Sequence, residues 1–197
     1  MQIYKTYGNP VIQFLNIYEK ARDDTFIPIT GVSNRFKNWV AHIDLKTCQI
    51  CREYNGKIFE MNEIPLYEPP VHPNCRCEIQ PMKTIEAGLA TNNGIDGADY
   101  WLKYYGTLPD YYISEQQLKE LGWKYGERPS QYAPGKMLGR KPYDNEEKKL
   151  PDSIGRKWYE ADINYTQGRR NNHRIFWSTD GLIFVTYDHG KTFYEIV

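Results

Sequence analysis

Lys157-Trp-Tyr-Glu-Ala-Asp-Ile163, Arg174-Ile-Phe-Trp-Ser178, Leu182-Ile-Phe-Val-Thr-Tyr187 and Thr192-Phe-Tyr-Glu-Ile196 stand close together at the end of the sequence. All four runs are rich in β-branched and aromatic residues, and turn clusters such as Thr179-Asp-Gly181 separate them, so they read as linked strands. Alternation along the first run places Arg156, Trp158, Glu160 and Asp162 on one face and Tyr159, Ala161 and Ile163 on the other. Working outward, Ala98 to Tyr105 has an amphipathic helical pattern that Gly106 stops. Ser114-Glu-Gln-Gln117 is a capping-box pattern for a second helix, running to Leu121 with Gly122 after it. Helices followed by a block of strands predict an α+β fold with an antiparallel sheet.

The 197 residues suffice for two small domains, and 25 basic residues balance 25 acidic ones. No global charge therefore steers the chain to nucleic acid or membrane, and RNA binding would need a local cluster. No apolar run approaches the roughly 18 residues of a membrane span, and the first residues carry no charged-then-apolar signal pattern. All four cysteines fall between Cys48 and Cys77, an asymmetry that predicts two domains. Residues 1–85 are expected to form a small Cys-rich module, helical and irregular. Its helices are predicted after Asn9-Pro10 (Val11, Phe14, Leu15, Tyr18) and from Ser33 (Phe36, Trp39, Val40). Small and turn-forming residues over 86–93 read as a linker, and 94–197 as the second domain.

Cys48-Gln-Ile-Cys51 and His72-Pro-Asn-Cys75-Arg-Cys77 place two pairs of soft ligands at tight turns, as a tetrahedral Zn²⁺ site requires. Cys48, Cys51 and Cys75 with either His72 or Cys77 would complete it, and two disulfides are the alternative. A catalytic Cys75–His72 pair is disfavoured because nothing nearby in sequence supplies an oxyanion site or an orienting third group. With Trp39-Val-Ala-His-Ile-Asp44 and Asn55-Gly-Lys-Ile-Phe59, these elements make residues 36–82 resemble the end of the phage Mu F-like minor head proteins. That family can carry a toxin domain at the C-terminus, and the resemblance implies phage head or delivery components as partners.

The second half holds two histidines, His173 and His189, and a dense basic loop, Gly168-Arg-Arg-Asn-Asn-His-Arg174. A strand face bearing Arg156, Glu160, Asp162 and Trp158 is either solvated or a polar site. Ala161-Asp-Ile-Asn-Tyr-Thr-Gln-Gly168 closely resembles the barnase-type bacterial guanyl-preferring ribonucleases. So do Leu108-Pro-Asp110, Leu121-Gly-Trp123, Ala133-Pro-Gly-Lys136, Lys149-Leu-Pro151, Ser178-Thr-Asp180 and Asp188-His189, nearly without gaps from Ile95 to Ile196. The resemblance implies Glu160 as general base, His189 as general acid, and Arg170 and Arg174 as phosphate ligands. It further implies Asp162 as the carboxylate that orients the arginines, and a base-reading loop from Asn145 to Lys149 in which Glu147 pairs with guanine. RNA would be the substrate, no cofactor would serve catalysis, and any zinc would be structural.

Three positions depart from the family. Glu115 stands at a phosphate-binding lysine, where Lys119 one turn later is expected to compensate; Glu146 replaces an arginine, and Gly190 an aromatic. If the toxin reading holds, a small acidic barstar-like inhibitor or immunity protein is implied, and the chain would be exported, delivered or virion-associated. A decayed, non-catalytic RNA- or partner-binding tail is the competing expectation. A zinc-dependent nucleic-acid reader is a weaker one, since no basic stripe flanks the cysteines.

Overall fold

The computed structural model describes residues 27–197, so the helix expected after Pro10 lies outside the described residues. In chain order the elements are β1 (Gly31–Val40), α1 (Gln49–Tyr54), β2 (Ile58–Glu60), β3 (Glu78–Ile85), α2 (Ala98–Tyr105), β4 (Tyr112–Ile113) and α3 (Glu115–Glu120). They continue with β5 (Met137–Leu138), β6 (Lys141–Tyr143), β7 (Trp158–Asp162), β8 (Arg174–Ser178), β9 (Ile183–Thr186) and β10 (Tyr194–Ile196). The fold is α+β, as expected, with few helices and one large sheet that also takes in the N-terminal strands. Gly106 ends α2 in the left-handed conformation, and Ser114 and Gln117 close the reciprocal capping box at the start of α3.

Among the described residues eight strands form one sheet in the order β2-β1-β3-β10-β9-β8-β7-β6. Its pairs are antiparallel except β3 with β10, where Glu195 lies opposite Thr84 and Ile196 opposite Ile85. The Cys-rich segment is therefore hydrogen-bonded to the C-terminal strands rather than merely tethered to them. Residues 86–93, expected as a linker, are packed in place. Buried Asp99 accepts hydrogen bonds from the Gly88 and Ala90 amides (2.7 and 2.9 Å) and from the Thr91 hydroxyl (2.9 Å). The small residues there serve close packing, not flexibility.

The helix expected from Ser33 is instead strand β1, and strands make up much of a module expected to be helical and irregular. Ser33, Phe36 and Trp39 are all buried, a spacing of three that imitates a helical face. It arises because the register with β3 shifts between Val32 and Lys37. The Ser33 hydroxyl accepts from the Arg35 and Phe36 amides (3.0 and 2.9 Å), fixing an irregularity that breaks the period of two.

Alternation sorts the side chains into a core on each face of the sheet. On one side Ala161, Ile175, Val185 and Ile196 pack with Leu102 of α2. On the other, Trp158, Phe176, Phe184 and Phe193 are joined by Phe36, Ile58 and Met82 from the N-terminal strands. Phe36 meets Phe184 edge-on at 5.4 Å, and the Arg35 Nε donates to buried Glu195 at 2.9 Å. On this second face the register aligns two rows across the strands. One runs Lys141–Glu160–Phe176–Phe184–Glu195, the other Asp162–Arg174–Thr186. The polar end of the first row, whose middle is apolar, thus falls beside the wholly polar second row at the β6–β8 end of the sheet.

Candidate active site

Those polar residues open into a cleft of about 170 Å³ lined by Glu160, Asp162, Arg170, Arg174 and His189, with Lys141, Glu115 and Tyr125 at its walls. The four residues expected to carry the reaction come from β7, the β7–β8 loop, the start of β8 and the β9–β10 turn, and converge on one space. Cross-strand pairing fixes Glu160 opposite Lys141, whose Nζ lies 3.2 Å from the carboxylate.

The guanidinium groups are held from behind by Asp162, only 1% exposed. Arg170 donates to its two oxygens at 2.7 and 2.6 Å, and Arg174 Nε lies 3.1 Å from one of them. Arg174 also donates to the carbonyls of Asn171 (2.8 Å) and His173 (2.6 Å). The hydrogen bond to Asp162 holds the Arg170 proton more firmly than usual, whereas burial loosens that of Arg174. Both nonetheless remain cations at neutral pH, as arginine does in proteins.

His189 sits at the tip of the β9–β10 turn in the left-handed region (φ 62°). A brace of short bonds imposes that conformation. Asp188 accepts from the Thr186 hydroxyl (2.8 Å) and from the Lys191 and Thr192 amides (3.1 and 2.9 Å), while the Gly190 amide donates to Thr186 (2.9 Å). The His189 amide reaches the Asn172 carbonyl at 3.1 Å, which links the turn to the basic loop. His173 packs edge-on against Tyr187 at 5.2 Å and does not line the cleft.

The loop expected to read the base stands beside this cleft rather than in it. Buried Asn145 closes the loop on itself, its amide donating to Leu150 O (2.8 Å) and its oxygen accepting from Leu150 N (3.0 Å). Glu147 is exposed and pairs with Lys149 at 2.8 Å. Lys149 also donates to Gly190 O at 3.0 Å, bridging the loop to the His189 turn. Lys119 does not supply the cleft with the expected cation. It pairs with Glu115 at 2.6 Å, and that hydrogen bond, helped by the charges of Lys141 and Arg170, keeps the Glu115 carboxyl below its ordinary value. Lys141 and Tyr125 are polar cleft residues that sequence reasoning missed. Each reaches the site through long-range placement, with no local motif to mark it.

In the N-terminal segment all four cysteines are free and clustered. Donor atoms of Cys48, Cys51 and His72, and of Cys51, Cys75 and Cys77, lie within 4.8 Å of one another, with Cys51 common to both groups. Burial and then the neighbouring thiols push the Cys51 thiol up. Burial would also raise Cys75, but backbone hydrogen bonds at Cys77 and Val71 outweigh it and bring it down to about 7. His72 Nδ1 contacts Pro73 O at 2.9 Å, leaving Nε2 facing Cys51 at 3.7 Å. Soft donors this close repel once ionised, so the set fits a thiophilic divalent cation. His72 and Cys77 both remain in reach of a fourth position.

A carboxylate and an imidazole around a pair of braced guanidiniums have the chemistry to exchange protons beside a bound anion. Comparison with known proteins narrows that chemistry. The ribonuclease family model matches residues 98–197, and the model for phage Mu protein F like protein matches 12–80. The ribonucleases of Bacillus intermedius and Bacillus pumilus are each 46% identical over 110 residues, 55% of this chain and 67% of theirs. That of Heyndrickxia coagulans is 45% identical over 109 residues, 54% of this chain and 99% of its own. The chain belongs to the ribonuclease family.

Proposed function

We propose that the chain is an endoribonuclease that cleaves RNA by internal transesterification, with Glu160 as base and His189 as acid. The observation that carries this reading is their meeting with Arg170 and Arg174 in one cleft. Glu160 takes the proton of the ribose 2′-OH, and that oxygen attacks the adjacent phosphorus. The bond from phosphorus to the 5′-oxygen breaks as protonated His189 gives that oxygen its proton. The product is a 2′,3′-cyclic phosphate, which water, activated by the same pair in reverse, opens to a 3′-phosphate. Each proton transfer contributes about 10²–10⁴-fold. Arg170 and Arg174, oriented by Asp162, face the charge that builds on the equatorial oxygens, a task for a planar forked donor. RNA carries its own nucleophile, so DNA binds without reacting and the chemistry requires neither metal nor cofactor.

The same reading assigns residues 94–197 to catalysis and 1–85 to a phage-head-like module stapled by zinc on Cys48, Cys51 and Cys75 with His72 or Cys77. Glu147, exposed beside the cleft, would read guanine. It casts the protein as a toxin that is delivered, exported or carried on a virion, with a small acidic inhibitor that covers Arg170 and Arg174 in the producing cell.

The test is the purified full chain on guanine-containing RNA dinucleotides with EDTA, followed by identification of product ends. Cyclic phosphate should form, and Glu160→Ala or His189→Gln should remove most of it. Full activity in both variants would sink the mechanism. Saturable RNA binding without product would favour a binding protein instead.

A further inference from the structure

We propose that Lys141 is the mobile phosphate-binding cation of this cleft, supplying the positive charge that Glu115 and its partner Lys119 do not. The inference rests on the ribonuclease reading of the site. The charged walls are Lys141, Arg170 and Arg174 against Glu115, Glu160 and Asp162, three of each sign apart from His189. A phosphodiester entering this space is attracted little beyond the pull of His189 unless some cation can move toward it.

Arg170 and Arg174 are poorly placed to move. Both are tied to buried Asp162, and Arg174 is fastened further by two backbone carbonyls. Lys119 is spent on Glu115. Lys141 differs in three respects. Its backbone is fixed directly opposite Glu160 by the β6–β7 register. Its side chain is 61% exposed on a flexible four-carbon stem, and its ion pair is with Glu160 itself.

A carboxylate paired with an ammonium ion has an oxygen occupied where it must accept a proton. Substrate offers Lys141 a second anion beside the first. By turning from Glu160 toward the scissile phosphate, Lys141 exposes the carboxylate to the 2′-OH and offsets the repulsion from Glu115. One side chain then both screens the base in the empty cleft and uncovers it on binding.

The experiment compares wild type, Lys141→Gln, Lys141→Arg and the double variant Lys141→Gln/Glu115→Lys in the full chain. Dinucleotide cleavage is measured across a salt series, and guanosine 3′-monophosphate binding by calorimetry. Loss of one charge-assisted contact should lower kcat/KM by about 10- to 100-fold in Lys141→Gln. The salt dependence should flatten and nucleotide affinity fall in parallel, while Lys141→Arg keeps most of both. Glu115→Lys restores a cation to the same wall and should recover most of the loss. Wild-type kcat/KM and affinity in Lys141→Gln would overturn the proposal. So would lost cleavage with unchanged nucleotide affinity and no recovery by Glu115→Lys, because Lys141 would then serve only to hold Glu160. A wild-type chain that makes no cyclic phosphate defeats the ribonuclease reading separately, while the nucleotide-binding arm still tests Lys141.

Discussion

Replacing Asp162 with Asn should uncouple the two guanidiniums from their shared support with almost no change of shape. Asp162 is 1% exposed, takes two hydrogen bonds from Arg170 at 2.7 and 2.6 Å, and lies 3.1 Å from Arg174 Nε. Breaking a buried ion pair by removing one partner costs about 3–5 kcal/mol, because the remaining charge is left without compensation. Two features hold the estimate at the lower end. The Arg170 side chain is 32% exposed and can draw on water, and Arg174 keeps its Asn171 and His173 carbonyls. A loss of about 3 kcal/mol is therefore expected, equivalent to roughly 6–12 °C in Tm for a protein of this size. Urea unfolding followed by tryptophan fluorescence, with calorimetry alongside, measures it directly. Glu115→Gln is the internal control. It removes a carboxylate from a half-exposed helical pair with Lys119, a change worth about 0.5 kcal/mol or less. Asp162→Asn as stable as Glu115→Gln would refute the claim that Asp162 is the electrostatic anchor of the site.

Gly56→Ala should cost about 2 kcal/mol. The residue has φ +80° and a Cβ there would lie 2.6 Å from the Lys191 carbonyl; an unchanged unfolding midpoint would contradict the close approach. Burial holds the Asp99 carboxyl above its ordinary 3.8. The folded chain therefore keeps a proton that the unfolded chain has released, and stability falls as pH rises from about 3.8 through the raised value. Asp99→Asn should abolish that fall, and identical pH slopes for the two proteins would exclude it. Cys51 belongs to both donor groups of the cysteine cluster, so Cys51→Ser should abolish the thiolate-to-metal absorption of the cadmium-loaded protein and lower its Tm. Retention of the band would move the ligand set elsewhere.

Much of the C-terminal half is legible because its signals are local. Arg174–Ser178 forms a strand where the aromatic run predicts one, and Ser114 with Gln117 makes a capping box whose partners lie three residues apart. Glu160, His189, Arg170 and Arg174 cannot be assembled from spacing, and only resemblance to a family connects them before the fold does. Errors concentrate where distant residues decide the local meaning. Nothing near Gly88 or Ala90 reveals that Asp99 will bind both amides, so a packed turn resembles a linker. Ser33 bends β1 into a spacing of three, and the helical reading follows that false period. Lys141 has meaning only from the strand opposite it.

The β3–β10 seam sets a limit on portability. A freely exchangeable domain needs only a tether, but the one here presents an open strand edge to β3 and a socket for Phe36, Ile58 and Met82. It also brings an acid, Glu195, that receives Arg35. Any different catalytic domain grafted behind this cysteine module would inherit a bare edge and three orphaned apolar side chains unless its own final strand were cut to the same template. A domain swapped in at this junction would need a strand able to pair with β3.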